Sequence, residues 1–166
     1  MRGSGILIRR AHAEEWQALR ALRLEALARA PHAFSSTLAH EQALSDNDWR
    51  ARAALNAGDE KPCFVGEEDG ALCGMAVGAS GPAPDQAWLM GMYVVEAARG
   101  RGLGAALVEA VARWAIRRGN KMLILETNVD NPSAMALYVR CGFQDTGILG
   151  PMSSGTGTQT RMTRVL

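Results

Sequence analysis

The sequence has almost no net charge, with 18 lysines and arginines against 17 aspartates and glutamates. A chain so nearly neutral lacks a general electrostatic attraction for nucleic acid or for acidic membranes. Its apolar runs all fall short of the roughly 20 residues that a membrane-spanning helix needs. The first five residues, MRGSG, lack the apolar stretch of a secretory signal. We therefore expect a cytoplasmic protein with neither a nucleic-acid nor a membrane partner.

Cysteine is scarce as well, with only Cys63, Cys73 and Cys141. An odd number without a C-x-x-C pair argues against a disulfide framework and against a zinc site. We expect the three thiols to be small buried groups, and we expect no metal. The length of 166 residues suits one domain over residues 1–166 with its own hydrophobic core.

Hydrophobic periodicity and turn residues predict the helices and strands. Strands are predicted at 5–10, 63–67, 71–79, 88–95, 122–126, 143–149 and 159–166, and helices at 14–30, 49–55, 102–118 and 132–141. The strand at 88–95 is continuously apolar, which is typical of a strand buried on both faces. Residues 31–44 have no clean period and are expected to form a loop or a broken helix. This order of elements predicts an α/β protein with a mixed sheet and helices on its faces.

Several local signals fix the ends of these elements. Ser45 and Asp48 have the spacing of a helix capping box, and Gly58 stands where a left-handed residue would end that helix. Asp69-Gly70 predicts a two-residue hairpin loop. That loop would place Cys73 opposite residue 66 and not opposite Cys63, so a disulfide between the two is disfavoured.

The most informative segment is residues 94–107, VVEAARGRGLGAAL, in which glycines follow a buried strand and open the clearest helix. Glycines at 100, 102 and 104 allow close approach of the backbone to a ligand. A helix N-terminus offers unpaired N–H groups and partial positive charge, and Arg99 and Arg101 stand beside it. The segment therefore predicts a site for phosphate or pyrophosphate.

Two known phosphate signatures fit this segment poorly. A P-loop requires G-x-x-x-x-G-K-[ST], but Ala105 stands at the second glycine position and no lysine follows. The dinucleotide fingerprint G-x-G-x-x-G/A matches Gly100, Gly102 and Ala105, with Glu126 as a candidate ribose ligand. Four residues separate its strand from its first glycine, however, and only 40 residues follow Glu126, too few for the rest of that fold. Dinucleotide binding remains the weaker alternative.

A third signature, [QR]-x-x-G-x-[GA], is satisfied by Arg99, Gly102 and Gly104. A second block, N-x-x-A-x-x-L-Y-x-x-x-G-F, is satisfied downstream by Asn131, Ala134, Leu137, Tyr138, Gly142 and Phe143. In these two blocks the chain resembles the GCN5-related N-acetyltransferase (GNAT) family. The resemblance covers residues 88–143, about a third of the chain. Glu96 departs from the pattern, since family members often have proline at that position.

The resemblance implies a mixed, mostly antiparallel, twisted sheet of about seven strands with helices on both faces. Its two central parallel strands, here 88–95 and 121–127, would splay apart to hold acetyl-CoA, and Gly91 suits a bulge that separates them. Residues of the first strand would bind the pantetheine arm. Backbone amides of the glycine segment would bind the pyrophosphate. The implied cofactor-binding set is Met92, Tyr93, Val94, Arg99, Gly100, Arg101, Gly102, Leu103, Gly104, Ala105 and Asn131.

The same resemblance makes Tyr138 the candidate general acid, since the CoA sulfur that leaves needs a proton. Glu126, at the end of a splayed strand, is the candidate general base acting through water. His40 and Glu41 are weaker candidates for the base, and we expect a surface role for each. A covalent route through Cys141 is less expected than a packing role for that thiol.

The implied function is transfer of an acetyl group from acetyl-CoA to a primary amine by direct attack in a ternary complex. We expect a small-molecule amine, over which residues 31–44 would close. The alternatives are a protein N-terminus or lysine as acceptor, and a non-catalytic acyl-CoA-binding regulatory module. The resemblance also suggests a homodimer formed through the terminal strands.

Overall fold

The computed structural model describes residues 5–166, and the opening residues 1–4, where a signal segment would begin, lie outside the described residues. The strands are β1 (Leu7–Arg10), β2 (Cys63–Glu68), β3 (Ala71–Ser80), β4 (Gln86–Val94), β5 (Met122–Asn128), β6 (Gln144–Pro151) and β7 (Thr158–Val165). The helices are α1 (Trp16–Arg29), α2 (Leu38–Gln42), α3 (Asp46–Ala57), α4 (Leu103–Arg117) and α5 (Pro132–Arg140). Residues 31–44 do form a broken helix, a 3₁₀ turn followed by α2.

The strands form one sheet in the order β1-β2-β3-β4-β5-β7-β6. All neighbouring pairs are antiparallel except β4 and β5, which are parallel. The predicted mixed, mostly antiparallel sheet of seven strands is therefore confirmed.

Helices cover both faces of this sheet, as predicted. On one face, α4 buries Leu107, Val111 and Trp114 in a core that also includes residues of β4, β5 and α5. On the other face, α1 buries Leu22 and Leu27 in a second core. Among the helices of residues 5–166, none is long and apolar enough to cross a membrane.

The hairpin between β2 and β3 turns at Asp69 and Gly70, which have φ angles of 49° and 81°. Two consecutive positive φ values match the right-handed twist of the strands, so the predicted turn is confirmed. The predicted register holds only next to the turn. A register shift between Gly66 and Glu67 leaves Cys73 as the extra residue and places Cys63 opposite Val77. All three cysteines are free, with Cys63 and Cys73 buried and Cys141 half-buried.

The start of α3 is as predicted, and its end is not. The Ser45 hydroxyl accepts from the Asp48 N–H at 3.1 Å, and the Ser45 N–H donates to the Asp48 carboxylate at 2.8 Å. Gly58, however, has φ −80° and ψ 173°, so the chain leaves the helix in an extended conformation and the predicted left-handed end is wrong. A Cβ at this position would lie 3.3 Å from the Leu55 carbonyl oxygen, so the glycine serves a close contact.

Candidate active site

The two parallel strands at the centre of the sheet separate after a short paired segment. They pair at Gln86 with Met122, at Ala87 with Leu123 and at Trp88 with Ile124. Beyond these pairs β4 continues to Val94 and β5 to Asn128 without pairing to each other. The predicted splay is therefore confirmed. The edge of β4 that faces the gap offers backbone groups to a ligand, because such groups need hydrogen-bond partners.

Gly91 forms a bulge in β4 at this gap. Its φ is +63°, and the register of β3 against β4 shifts by one residue around it, so that Met75 lies opposite Tyr93 but Val77 lies opposite Met90. Because side chains alternate between the two faces of the sheet along a strand, one extra residue reverses the face on which each later side chain lies. Leu89 before the bulge and both Met92 and Val94 after it pack in the α4 core, whereas Tyr93 packs in the α1 core. 

The glycine segment ends in an array of free amides. Gly100 and Gly102 have φ angles of 72° and 80°, and the first helical bond runs from the Ala106 N–H to the Gly102 oxygen at 3.0 Å. Within residues 5–166, no backbone carbonyl accepts from the N–H groups of residues 100–105. Consecutive unpaired N–H groups at a helix N-terminus suit a phosphate group. Gly104 serves packing, since a Cβ there would lie 3.0 Å from Leu137 on α5.

Each of the two arginines of this segment already has an oxygen partner in the protein. Arg101 pairs with Glu68, with Nη1 2.8 Å from Oε2, so its charge is already balanced. Arg99 donates from Nε to the Val94 carbonyl oxygen at 3.0 Å. That carbonyl, expected to face the pantetheine arm, therefore already has one donor. The Arg99 guanidinium also lies over the Tyr93 ring, 5.9 Å from its centroid, and the Tyr93 hydroxyl donates to Glu25 at 3.0 Å.

Tyr138 lies on α5 in the same core as Met92, Val94 and Leu103. It is 7% exposed, and its ring meets that of Phe143 edge to face with the centroids 5.9 Å apart. Burial raises the pKa of the Tyr138 phenol above its ordinary value, so the group keeps its proton at neutral pH.

Asn131 begins the helix that carries Tyr138. Its side-chain oxygen accepts from the Ala134 N–H at 3.2 Å, and Pro132 occupies the first helical position. Asn131 therefore has the structural role of an N-cap.

A cleft of about 780 Å³ lies on the other face of the sheet. Its walls come from the helices α1, α2 and α3, from five strands of the sheet (β2, β3, β4, β5 and β7) and from loop segments, and they include residues 33–37, 88–91 and 152–154. Met90 is 37% exposed and Trp88 is half-buried, and both line this cleft. The prediction that this strand is buried on both faces is therefore wrong, because one of its faces is a cleft wall.

Glu126 lines the cleft on the β5 side of the gap. Its carboxylate accepts from Gln159 at 2.7 Å and from Arg161 at 2.8 Å, and its side chain keeps 31% of its surface exposed. The preceding Leu125 packs in the α4 core, on the face where Tyr138 lies. The two candidate catalytic side chains thus belong to opposite faces of the sheet.

Glu41 is not a surface residue, contrary to expectation. It is 2% exposed, and its carboxylate accepts from Arg23 Nη2 and from Arg52 Nη1, each at 2.9 Å. Burial by itself would raise the pKa of Glu41, but the two arginines outweigh it and lower the pKa to about 2. A carboxylate held so firmly ionised is a poor base. His40 is exposed, as expected, and lines the same cleft.

Sequence reasoning missed the two arginines that hold Glu41. Arg23 comes from α1 and Arg52 from α3, and no local pattern relates either of them to a residue of the short helix α2 that lies between them in the sequence. It also missed residues 152–154 as part of the cleft, because they stand in a segment rich in glycine and serine. Within the part of the chain that the structure describes, no group of histidine, cysteine and carboxylate side chains is suited to a metal ion.

An open mixed sheet whose central parallel strands part beside a helix N-terminus with free amides is the architecture of an acyl-CoA-dependent transferase. Residues 16–143 match the model of the acetyltransferase (GNAT) family, and the chain belongs to this family. The resemblance found in the two sequence blocks is thereby confirmed.

Solved structures share the fold along almost the whole chain. The protein yncA from Salmonella typhimurium, solved with its cofactor acetyl-CoA, has a TM-score of 0.81 at 21% identity, and the match covers 98% of this chain and 95% of yncA. A GCN5-related N-acetyltransferase from Kribbella flavida has a TM-score of 0.78 at 26% identity, with 97% and 98% covered.

Curated relatives match over shorter segments. An aminoglycoside N(6')-acetyltransferase type 1 from Klebsiella aerogenes is 37% identical over 59 residues, which are 36% of this chain and 39% of that enzyme. The chain spans less than half the length of the first curated relatives that it matches.

Proposed function

We propose that the protein is an acetyl-CoA-dependent N-acetyltransferase that acetylates a small primary amine. The observation that carries this proposal is the gap between β4 and β5, which lies between the free amides before α4 on one face and the cleft on the other. A thioester in the gap would be within reach of an amine in the cleft. Holding both reactants at one point converts a bimolecular reaction into an effectively unimolecular one.

In this proposal acetyl-CoA lies along the open edge of β4. Backbone groups of Met92, Tyr93 and Val94 bind the pantetheine arm, and amides from Arg99 to Ala105 hold the pyrophosphate. The free N–H groups of residues 100–105 support this assignment, because each would gain a charged acceptor. Asn131 contacts the cofactor in addition to capping α5.

The proposed chemistry is direct attack. An ammonium in the cleft loses a proton through water to Glu126, and the neutral nitrogen then attacks the thioester carbonyl. A backbone amide of β4 at the gap stabilises the oxyanion. The C–S bond breaks, and Tyr138 donates its phenolic proton to the departing sulfur. The acylated nitrogen then loses its remaining extra proton, which restores the Tyr138 phenol, and the proton taken up by Glu126 passes to solvent. No covalent enzyme intermediate forms.

The enclosure of the cleft supports a small acceptor more than a peptide. Segments 33–37 and 152–154 both contribute to its walls, in addition to the sheet and three helices. The Klebsiella relative is named for a small-molecule acceptor, an aminoglycoside.

Thermal denaturation tests acetyl-CoA binding directly. The melting temperature is measured for the protein alone and with acetyl-CoA, CoA, NAD or ATP at one concentration. A ligand at about 100 times its Kd adds about 2.7 kcal/mol of stability. We expect a shift with the two CoA compounds only, followed by CoA release when an amine panel is added. A shift with NAD alone would overturn the proposal and favour dinucleotide binding. A shift with acetyl-CoA but no release with any amine would favour the regulatory module.

We also propose a homodimer formed through the terminal strands. β6 is an edge strand of the sheet, and its Ile148 and Leu149 are 58% and 63% exposed. Light scattering of the wild type and of Leu149→Lys tests this. A dimer that the substitution converts to a monomer is expected, and a monomeric wild type would contradict it.

A further inference from the structure

We infer that the acceptor amine also carries a carboxylate, which Arg52 binds in the wall of the cleft. This inference deepens the proposed function and rests on it, since it concerns the second substrate of the same site. It assigns the acceptor to the amino acids and related amino-carboxylates, and it excludes polyamines and aminoglycosides.

The first observation is the charge of the cleft lining. Three cationic side chains, those of Arg23, Arg52 and Lys61, line the cleft, against the two carboxylates of Glu41 and Glu126. Both carboxylates are already paired with arginines, Glu41 with two of them and Glu126 with Arg161. The lining therefore has an excess of positive charge, and an anionic group on the ligand would balance it.

The second observation is the unused bonding capacity of Arg52. A guanidinium has five N–H donors in a planar fork that matches a carboxylate. Only Nη1 of Arg52 makes a hydrogen bond in residues 5–166, to Glu41, and its side chain stays 39% exposed. Asp48, the other acid close to Arg52, has its carboxylate bound to Ser45 in the capping box. Glu41 and the ring of Trp49, 4.6 Å from the guanidinium, hold Arg52 in place.

The third observation concerns the aromatic rings of the cleft. Four rings line it, and each has an arginine guanidinium over one face. The pairs are Trp16 with Arg50 at 4.7 Å, Phe34 with Arg23 at 4.8 Å, Trp49 with Arg52 at 4.6 Å and Trp88 with Arg161 at 5.2 Å. Aromatic faces are where a cationic ligand gains most. These rings are already used by internal cations, which would in addition repel a polycationic acceptor.

The fourth observation is a set of unsatisfied donors. Among the described residues, the buried side-chain polar atoms without a partner are Trp49 Nε1, Ser154 Oγ and Arg161 Nε. Trp49 and Ser154 line the cleft, and Arg161 holds Glu126, which lines it too. All three atoms can donate a hydrogen bond, and a buried donor without a partner destabilises the protein. A ligand rich in acceptor atoms fits this lining better than a ligand rich in N–H groups.

The test compares acceptors that differ only in the carboxylate. CoA release from acetyl-CoA is measured with the common α-amino acids, 4-aminobutanoate, spermidine and kanamycin. Each amino acid that reacts is then compared with its primary amide. We expect an amino acid to react and its amide to have a KM at least about tenfold higher, because the amide cannot form the charge pair with Arg52. This expectation is stringent, because the amide has the less basic amine and therefore more of the reactive neutral form.

Variants locate the carboxylate. Arg52→Gln is expected to raise KM for the amino acid at least about tenfold while leaving KM for the amide within about twofold. Arg50→Gln is the matched control, an arginine on the same helix that stacks on Trp16 and does not line the cleft. It is expected to change neither value. Arg52→Lys keeps the charge without the fork and covers the case in which Arg52→Gln fails to fold.

The outcomes separate the inference from the function on which it rests. Release of CoA with spermidine or kanamycin but with no amino acid, or equal KM values for acid and amide, would overturn the inference and leave the acetyltransferase proposal intact. Absence of CoA release with every amine would count against the proposed function itself.

Discussion

Trp88 lies opposite Ile124, and this is the last pair in the parallel ladder between β4 and β5. Trp88 of this pair and Met90 beyond it line the cleft. Met92 and Val94, further along β4, pack on the other face of the sheet in the same core as Tyr138. The end of the ladder is therefore the point where the two halves of the candidate active site meet.

Replacing Tyr138 with phenylalanine tests the general acid. The ring and its contact with Phe143 are kept, and only the hydroxyl is lost. A general acid contributes about 10²- to 10⁴-fold to a rate, so kcat is expected to decrease by a factor in that range. The melting temperature and the acetyl-CoA affinity should stay close to those of the wild type. Unchanged turnover would remove Tyr138 from the mechanism.

Alanine substitutions at two glycines with the same φ angle distinguish an effect on ligand binding from an effect of backbone strain. Gly102 and Gly119 both have φ +80°, and at both positions a Cβ would meet nothing within 4 Å. Alanine in the left-handed region costs about 1–2 kcal/mol, so each Gly→Ala variant should lose stability by that amount. Gly102→Ala alone should weaken acetyl-CoA binding, measured by calorimetry. Equal weakening in Gly119→Ala would mean that the loss comes from stability alone.

Replacing Glu126 with glutamine tests the general base. The amide keeps the size of the side chain and cannot accept a proton, so kcat at neutral pH should fall about 10²-fold. The loss should shrink at high pH, where the acceptor amine is neutral without help. His40→Ala, at another polar residue of the cleft lining, serves as control and should leave the pH profile unchanged. A large loss in His40→Ala and none in Glu126→Gln would assign the base to His40.

Glu41 should make the protein sensitive to acid. Its pKa is lowered to about 2 in the folded state by Arg23 and Arg52, against burial, while the ordinary value is 4.5. A carboxylate with a lowered folded pKa stabilises the fold above its unfolded pKa, and this stabilisation is lost as pH falls from 4.5 towards 2. Glu41→Gln removes one partner of a buried ion pair and should cost about 3 kcal/mol at pH 7.

Urea denaturation at several pH values checks this prediction. The difference in unfolding free energy between the wild type and Glu41→Gln should have its largest value at pH 7 and should decrease as the pH falls below 4.5. A difference that does not depend on pH would show that the carboxylate charge does not matter. Asp46→Asn, an exposed acid paired with Arg20 at 3.4 Å, is a control that should cost less than 1 kcal/mol.

Local signals were enough to predict the elements, and the resemblance to the GNAT family supplied the splayed strands. The Ser45 capping box, the Asp69-Gly70 turn and Pro132 at a helix start each depend on neighbouring residues only, so the sequence contains them in full. The two motif blocks added the topology, which periodicity does not determine. The bulge at Gly91 was predicted from a single glycine within an apolar strand, and its φ of +63° confirms it.

The cleft was not predictable in the same way, because its contacts join distant parts of the chain. Glu41 pairs with Arg23 and Arg52, which come from two other helices. The sequence around Glu41 has no hydrophobic periodicity, so it gives no sign that this side chain is buried. Trp88 and Met90 looked like core residues because a cleft wall and a hydrophobic core use the same side chains. The Arg101–Glu68 pair likewise joins a helix start to a hairpin 33 residues away.

The placement of the candidate sites on opposite faces of one sheet has a kinetic consequence. Under the proposed function, the nucleotide end of one substrate approaches beside α4, while the other substrate enters between α1, α3 and residues 152–154. Neither entrance crosses the other, so either substrate can arrive first and either product can leave first. Initial rates measured against both concentrations would then give intersecting lines, and each product would compete only with the substrate whose entrance it shares.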